Sequence, residues 1–238
     1  MSEPALLAVA HGSADPRAEQ VLDALVARVR SERPGVVAVL AHLGFSDPDV
    51  PTALDSLVRQ GFREIVVVPL LLSAAYHATV DLPVALANAA LDHPGLAIRQ
   101  APVLGPHPLL FELLRRRLAD ARVESGASVV LGAVGTSDAT VNAGLADVAA
   151  SLGATIGFAS GTPAIADVVA SLRARGARQV VVATYVIAPG QLVDRFYDAG
   201  ADIVTDVLGA APELVDLILH RYDAALSGAS TTGMVAAG

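Results

Sequence analysis

The two halves of the chain carry the same series of sequence segments, which indicates an internal duplication. Residues 6–17 (LLAVAHGSADPR) align with residues 130–140 (VLGAVGTSDAT), and GFREIVVV from Gly61 aligns with GARQVVVA from Gly176. A third pair aligns LGPHPLLFELLRRRL from Leu104 with LGAAPELVDLILHRY from Leu208. A repeat of about a hundred residues is too long for one unit of a solenoid, so it predicts two similar subdomains.

Each half alternates short Val/Leu-rich runs with longer amphipathic stretches, which predicts an α/β fold. Near-continuous apolar strands separated by helices are typical of parallel sheets that are covered on both faces. We expect a first domain at 1–124, a second at 125–226 and a flexible tail at 227–238. The predicted strands are Ala5–Ala10, Val36–Leu43, Glu64–Leu72, Leu96–Pro102, Ser128–Val134, Ala154–Phe158, Gln179–Ile187 and Asp202–Val204.

Composition excludes several classes of function. The chain has no cysteine and no lysine, which excludes disulfides, thiolate metal sites, Schiff-base lysines and P-loop lysines. A net charge of −8 argues against a nucleic-acid partner. The longest apolar run, Ile65–Leu72, is too short to cross a membrane, and the N-terminus shows no signal segment. We therefore expect a cytoplasmic protein with no membrane partner.

Two histidines of the first half have no counterpart in the second. His11 aligns with Val134, and His77 aligns with Leu192. A histidine needed for the scaffold should survive wherever the scaffold survives, so His11 and His77 indicate chemistry. Both follow predicted strands, and the carboxyl ends of parallel strands meet at one edge of a sheet. We therefore expect the two side chains to lie close together.

A pair of imidazoles suits an open metal site. Neutral imidazole is a common metal ligand and also a base near neutral pH, whereas a structural zinc usually takes four ligands. Two histidines without a carboxylate cluster predict a site that can pass its metal on. Gly12 permits a tight turn after His11, and Ser13 or Asp15 can cap a helix that starts near Pro16.

Other polar side chains are candidates for binding a ligand. Arg17 and Arg195 are placed to bind an acidic ligand, or alternatively to pair with neighbouring carboxylates. His42, near the end of the second strand, either points towards the same site or is a buried or rim histidine.

The segments HGSADPR, VVVPLLLSAAYHATVDLP and LGPHPLL resemble the class II tetrapyrrole chelatases, the sirohydrochlorin chelatase family. The resemblance runs from about Ala5 to Tyr222. It implies that the protein inserts a divalent metal, Fe²⁺ in preference to Co²⁺, into sirohydrochlorin without ATP or an organic cofactor. It also implies that His11 and His77 bind the metal, and that the site lies in a cleft between two chelatase-like domains of a monomer.

The resemblance also assigns residues to the macrocycle and shows one departure. Backbone N–H groups at Gly12 and Ser13, and the side chains of Arg17, His42, Tyr76 and Arg195, are expected to bind sirohydrochlorin, with Leu192 in an apolar wall of the second half. Many members of the family carry a carboxylate where this chain has Gly44. Either His42 or Asp47 replaces it, or the site uses two protein ligands.

The sequence leaves three functional alternatives open. The first two are enzymes: a sirohydrochlorin ferrochelatase in siroheme biosynthesis, or a cobaltochelatase in cobalamin biosynthesis. Imidazole ligands suit both metals and do not separate them. The third is a non-catalytic protein that binds metal or tetrapyrrole.

Overall fold

The computed structural model describes residues 3–228 and 234–235. The strands in these residues are β1 (Ala5–Ala10), β2 (Ala38–His42), β3 (Glu64–Pro69), β4 (Ala97–Gln100), β5 (Ser128–Ala133), β6 (Thr155–Phe158), β7 (Val180–Thr184), β8 (Ile203–Val204) and β9 (Met234–Val235). The helices are α1 (Pro16–Glu32), α2 (Val50–Arg59), α3 (Leu82–Asp92), α4 (Pro108–Asp120), α5 (Ala139–Ser151), α6 (Ile165–Ala174), α7 (Gln191–Tyr197) and α8 (Pro212–Leu226), with a π-helical turn at His77–Asp81 before α3.

The strands form two sheets, which confirms the predicted α/β class with a duplicated parallel sheet. The first has the order β2-β1-β3-β4-β9, and the second has the order β6-β5-β7-β8. Neighbouring strands are parallel, except that β9 runs antiparallel to β4. Every residue of β1 is buried, as expected for a strand that is covered on both faces. Of the predicted flexible tail, Met234–Val235 forms β9, and 229–233 and 236–238 lie outside the described residues.

The chain divides into two compact units, and the helix that ends each repeat belongs mainly to the unit formed by the other repeat. In this sense the two units exchange their last helices. One unit holds Met1–Gly105 with Leu214–Gly238, and the other holds Pro106–Glu213. The predicted boundary after Glu124 therefore differs from the division in the structure. The helices α4 and α8 contain the third pair of repeated segments, yet α4 packs against β7 of the second unit, whereas nearly all of α8 belongs to the first.

Polar contacts within each unit fix the exchanged helices. In the first unit, Arg33 pairs with Asp223 of α8 at 3.0 Å, and the Tyr222 hydroxyl donates to the Pro4 carbonyl at 2.6 Å. In the second unit, the Arg116 guanidinium binds both carboxylate oxygens of Glu213 at 2.7 Å, which lowers the pKa of Glu213.

We expect Tyr222→Phe to lower the free energy of unfolding by about 1 kcal/mol at pH 7, since it removes a buried hydrogen bond. Burial raises the pKa of Tyr222 from 10.0 to about 12. The neutral phenol is thus favoured in the folded state, and its contribution is present below pH 10 and lost as the pH rises through 12. Denaturant titrations from pH 7 to pH 12 should show a steeper loss of stability in the wild type than in the variant. Equal slopes would contradict the role of Tyr222 in this pH range.

Candidate functional site

The first histidine lies directly after β1, on a turn that packs against the next loop. Gly12 has a φ of +90°, and a Cβ at this position would lie 1.6 Å from the Gly44 carbonyl oxygen. The Gly44 N–H in turn donates to the His11 carbonyl at 3.1 Å. Of the two caps that the sequence offered, Asp15 caps α1 by accepting a hydrogen bond from the Arg17 N–H at 2.9 Å. These contacts hold His11 at the carboxyl edge of the first sheet.

The second histidine begins the π-helical turn. The helical conformation that leads into α3 starts at His77, and the His77 carbonyl accepts from the Leu82 N–H, five residues on. A π-helical turn is a less common geometry than the α-helix and is often found at functional sites. It places His77 and Asp81 on the same side of the helix.

The structure brings the two imidazoles together although 66 positions separate them in the chain. The Nε2 atoms of His11 and His77 lie 3.0 Å apart, and the rings meet edge to face with centroids 4.2 Å apart. Metal–imidazole bonds are about 2.1 Å long, so an ion bound to both Nε2 atoms at this spacing would have an N–metal–N angle of about 90°. Two converging Nε2 atoms can therefore hold one metal ion as adjacent ligands and leave its other positions open.

A carboxylate orients the second histidine. His77 Nδ1 lies 2.6 Å from Asp81 Oδ2, so Asp81 accepts the Nδ1 hydrogen and the lone pair of His77 is at Nε2, facing His11. The site predicted from the sequence did not include Asp81. The signal was the spacing of four residues between a histidine and an aspartate at the start of a helix.

We expect Asp81→Asn to weaken the Co²⁺ affinity of the protein by about 10- to 100-fold, because the amide can donate to Nδ1 and stabilise the wrong tautomer of His77. Asp55→Asn is a matched control, since Asp55 pairs with His93 outside the pocket. Isothermal titration of both variants with Co²⁺ measures the effect. Similar affinities in the wild type and in Asp81→Asn would show that the carboxylate does not orient the ligand.

A pocket of about 220 Å³ adjoins the histidine pair. It is lined by His11, His42, Leu43, Gly44, Phe45, Asp49, Val50, Pro51, His77, Asp81 and Ala85. Asp49 caps α2 through the Thr52 N–H, and this hydrogen bonding lowers the pKa of the Asp49 carboxyl group. The aspartate is therefore ionised near neutral pH, which adds a negative charge to the pocket.

The position of the missing carboxylate, Gly44, is part of this lining. Of the two predicted replacements, Asp47 is exposed and does not line the pocket. His42 does line it, but the side chain is fully buried and its Nε2 pairs with Glu19 at 3.2 Å. Among the described residues, His42 Nδ1 has no hydrogen-bond partner. Asp81 is the carboxylate that the pocket places beside a predicted metal ligand.

The other predicted site residues of the first half surround the turn. Ser13 accepts through its hydroxyl from the Asp15 N–H at 3.1 Å. Arg17 pairs with Asp15, whose Oδ2 lies 2.6 Å from Arg17 Nη2, so the neighbouring carboxylate engages this guanidinium. Tyr76 is 61% exposed, and its ring meets that of His77 edge to face. That these residues bind a macrocycle stays a prediction.

The predicted site residues of the second half lie on α7. Leu192 is partly buried and packs against the apolar core of its unit. Arg195 donates to the Ala159 carbonyl at 2.8 Å, so this guanidinium also has a partner within its own unit. Contact of either residue with a ligand stays a prediction.

Within residues 3–228 and 234–235, no helix is both long enough and apolar enough to cross a membrane. In the same residues, no group of three or more histidine, aspartate or glutamate side chains is arranged to hold a metal ion.

Comparisons with known proteins relate this geometry to a family. The CbiX family model matches residues 5–121, which include both histidines. The sirohydrochlorin ferrochelatase of Bacillus subtilis is 30% identical over 146 residues, covering 61% of this chain and 56% of that protein. The chain thus spans little more than half the length of this relative. The sirohydrochlorin cobaltochelatase of Methanothermobacter thermautotrophicus is 30% identical over 132 residues, 49% of this chain and 91% of that protein.

A solved structure shows the same fold. SirB from Bacillus subtilis with Fe³⁺ superposes with a TM-score of 0.84 at 23% identity, over 95% of this chain and 96% of that one. The structural match covers both halves of the chain, whereas the match to the Methanothermobacter relative covers almost all of a protein about three fifths as long. By sequence and by fold, the chain belongs to the CbiX family.

Proposed function

We propose that the protein is a sirohydrochlorin chelatase that inserts a divalent metal, Fe²⁺ in preference to Co²⁺, into sirohydrochlorin for siroheme biosynthesis. The observation that carries the proposal is the pair of Nε2 atoms 3.0 Å apart beside an open pocket. The second half has Val134 and Leu192 at the positions aligned with His11 and His77, so the scaffold itself does not require the two histidines. The protein acts in the cytoplasm as a monomer, without ATP or an organic cofactor.

Metal insertion needs three things that these residues can supply. The metal must lose water, which two imidazole ligands promote by replacing part of its hydration shell. It must then be transferred, and a site with only two protein ligands leaves positions open to the pyrrole nitrogens. Two pyrrole protons must leave, and an imidazole that has released the metal is a base of suitable strength.

The turn after β1 suits an acidic substrate. Sirohydrochlorin carries eight carboxylates, and backbone N–H groups at the start of a helix bind anions. Gly12 and Ser13 lie on the turn before α1, which begins at Pro16 after its cap Asp15. The Ser13 N–H donates to the Ser46 hydroxyl at 3.3 Å, so a substrate carboxylate would compete with this contact. Arg17 can add positive charge there only if a substrate carboxylate competes with Asp15.

Cobalt insertion is the second candidate, because relatives with both names match the chain. The ferrochelatase of Bacillus subtilis and the cobaltochelatase of Methanothermobacter thermautotrophicus are equally identical to it over their matched segments. The histidine ligands accept either ion. The choice of metal therefore needs a direct comparison of rates.

The decisive experiment is anaerobic incubation of the protein and sirohydrochlorin with Fe²⁺, Co²⁺ or Ni²⁺, followed by absorbance. We expect protein-dependent conversion to the metallated spectrum, fastest with Fe²⁺. Parallel reactions without protein measure spontaneous insertion. A faster reaction with Co²⁺ would favour the cobaltochelatase, and metal binding without any spectral change would indicate a non-catalytic carrier.

A further inference from the structure

An exposed phenylalanine lies beside the histidine pair and has no evident role in the fold. Phe45 is 76% exposed and lines the pocket. Its ring stacks on that of His11, with centroids 5.8 Å apart and planes 19° apart. Exposure of a large aromatic side chain next to two polar imidazoles contributes little to folding.

The backbone holds Phe45 in an unfavourable conformation. Its φ is +64°, in the left-handed region that bulky side chains rarely adopt. The Ser46 N–H donates to the Gly44 carbonyl at 2.9 Å, which closes a γ-turn centred on Phe45. The Ser46 hydroxyl donates to the Ser13 carbonyl at 2.9 Å, which ties this turn to the loop after His11. The structure thus fixes the position of the Phe45 ring at a cost in stability.

The second half of the chain carries a glycine at the position equivalent to Phe45. The Ser160 N–H donates to the Val134 carbonyl at 2.8 Å, just as the Gly44 N–H donates to the His11 carbonyl. The residue after Ser160 is Gly161, which also has a positive φ, of +148°. Glycine thus occupies the equivalent position in the half that lacks the histidines. The scaffold therefore does not need an aromatic side chain at this position.

We propose that Phe45 is a residue that contacts the macrocycle and positions it over His11 and His77. A planar macrocycle lying face-on to His11 Nε2 meets the Phe45 ring edge-on, because the two rings are within 19° of parallel. Edge-to-face contact is a favourable arrangement of aromatic pairs, and the contact also buries apolar surface. This inference rests on the proposed function, since it takes a tetrapyrrole as the ligand.

The test compares Phe45→Gly and Phe45→Trp with the wild type. We expect Phe45→Gly to bind metal-free sirohydrochlorin about tenfold more weakly, and to raise KM for it by a similar factor. The variant should keep its Co²⁺ affinity, and its melting temperature should be equal or higher because glycine relieves the positive φ. Phe45→Trp should retain sirohydrochlorin affinity. Leu91→Ala removes another exposed apolar side chain, 74% exposed and outside the pocket lining, and should change neither affinity.

Three results would overturn the inference while leaving the proposed function in place. One is wild-type sirohydrochlorin affinity in Phe45→Gly. Another is an equal loss of Co²⁺ and sirohydrochlorin affinity, which would mean that the ring only supports His11. The third is a lower melting temperature, which would assign Phe45 to the fold. A wild-type protein that neither binds nor metallates sirohydrochlorin would overturn the proposed function together with the inference.

Discussion

His11→Ala and His77→Ala should each reduce the rate of metal insertion by about 100-fold or more, since one imidazole cannot hold the ion in a defined position. Each variant should keep the stability of the wild type to within about 0.5 kcal/mol. The reason is that the duplicated scaffold carries Val134 and Leu192 at the aligned positions. Absorbance assays with Fe²⁺ and Co²⁺ measure the rate, and thermal denaturation measures the stability.

His93→Ala is the matched control for these two variants. Its imidazole also pairs with an aspartate, Asp55, but it does not line the pocket. We expect this variant to insert metal at the wild-type rate. Full activity in His11→Ala or His77→Ala, or unfolding of either, would mean that the histidine in question does not act in catalysis.

Gly12→Ala should destabilise the protein by about 3 kcal/mol or more and abolish metal insertion. A Cβ on Gly12 would lie 1.6 Å from the Gly44 carbonyl oxygen, so the backbone of one of the two loops has to move. The left-handed φ of +90° adds strain of about 1 kcal/mol or more. Denaturant titration gives the change in the free energy of unfolding.

Gly61→Ala separates these two causes. Gly61 has a similar φ, of +97°, but a Cβ there would meet no atom within 4 Å. The control should therefore show only the cost of the left-handed backbone, and it should retain activity. If Gly12→Ala lost no more stability than Gly61→Ala, the loops would be able to separate freely, and the close approach would not be a constraint.

The architecture could be predicted from the sequence because each strand and helix has its own local pattern of apolar and polar residues. Apolar runs gave the strands, and their ends differ from the structure by a few residues at most, as at β3, which ends at Pro69 rather than Leu72. The approach of His11 to His77 was also predictable, because parallel strands bring their carboxyl ends to one edge. The role of Asp15 as the cap of α1 follows from its position before Pro16.

The features that the sequence did not reveal depend on the detailed backbone geometry and on which of several partners a side chain binds. The π-helical turn that brings Asp81 to His77 departs from ordinary helical geometry, and the hydrophobic pattern of the segment does not distinguish it from an α-helix. Phe45 drew no attention because its φ and exposure depend on the approach of two loops. Arg17 pairs with Asp15. Composition does not determine whether this guanidinium binds the neighbouring carboxylate or an acidic ligand.

The exchange of α4 and α8 has a consequence for the order in which the protein matures during synthesis. The unit with the histidine pair needs α8, which ends at Leu226, whereas the other unit, Pro106–Glu213, is a single continuous segment. At roughly 5–20 residues per second, the ribosome needs several seconds to make that segment after Gly105 has been added. During this time the N-terminal sheet lacks one of its helices. The unit that carries the histidine pair is begun first and completed last, so every nascent chain passes through a stage in which this unit is unfinished.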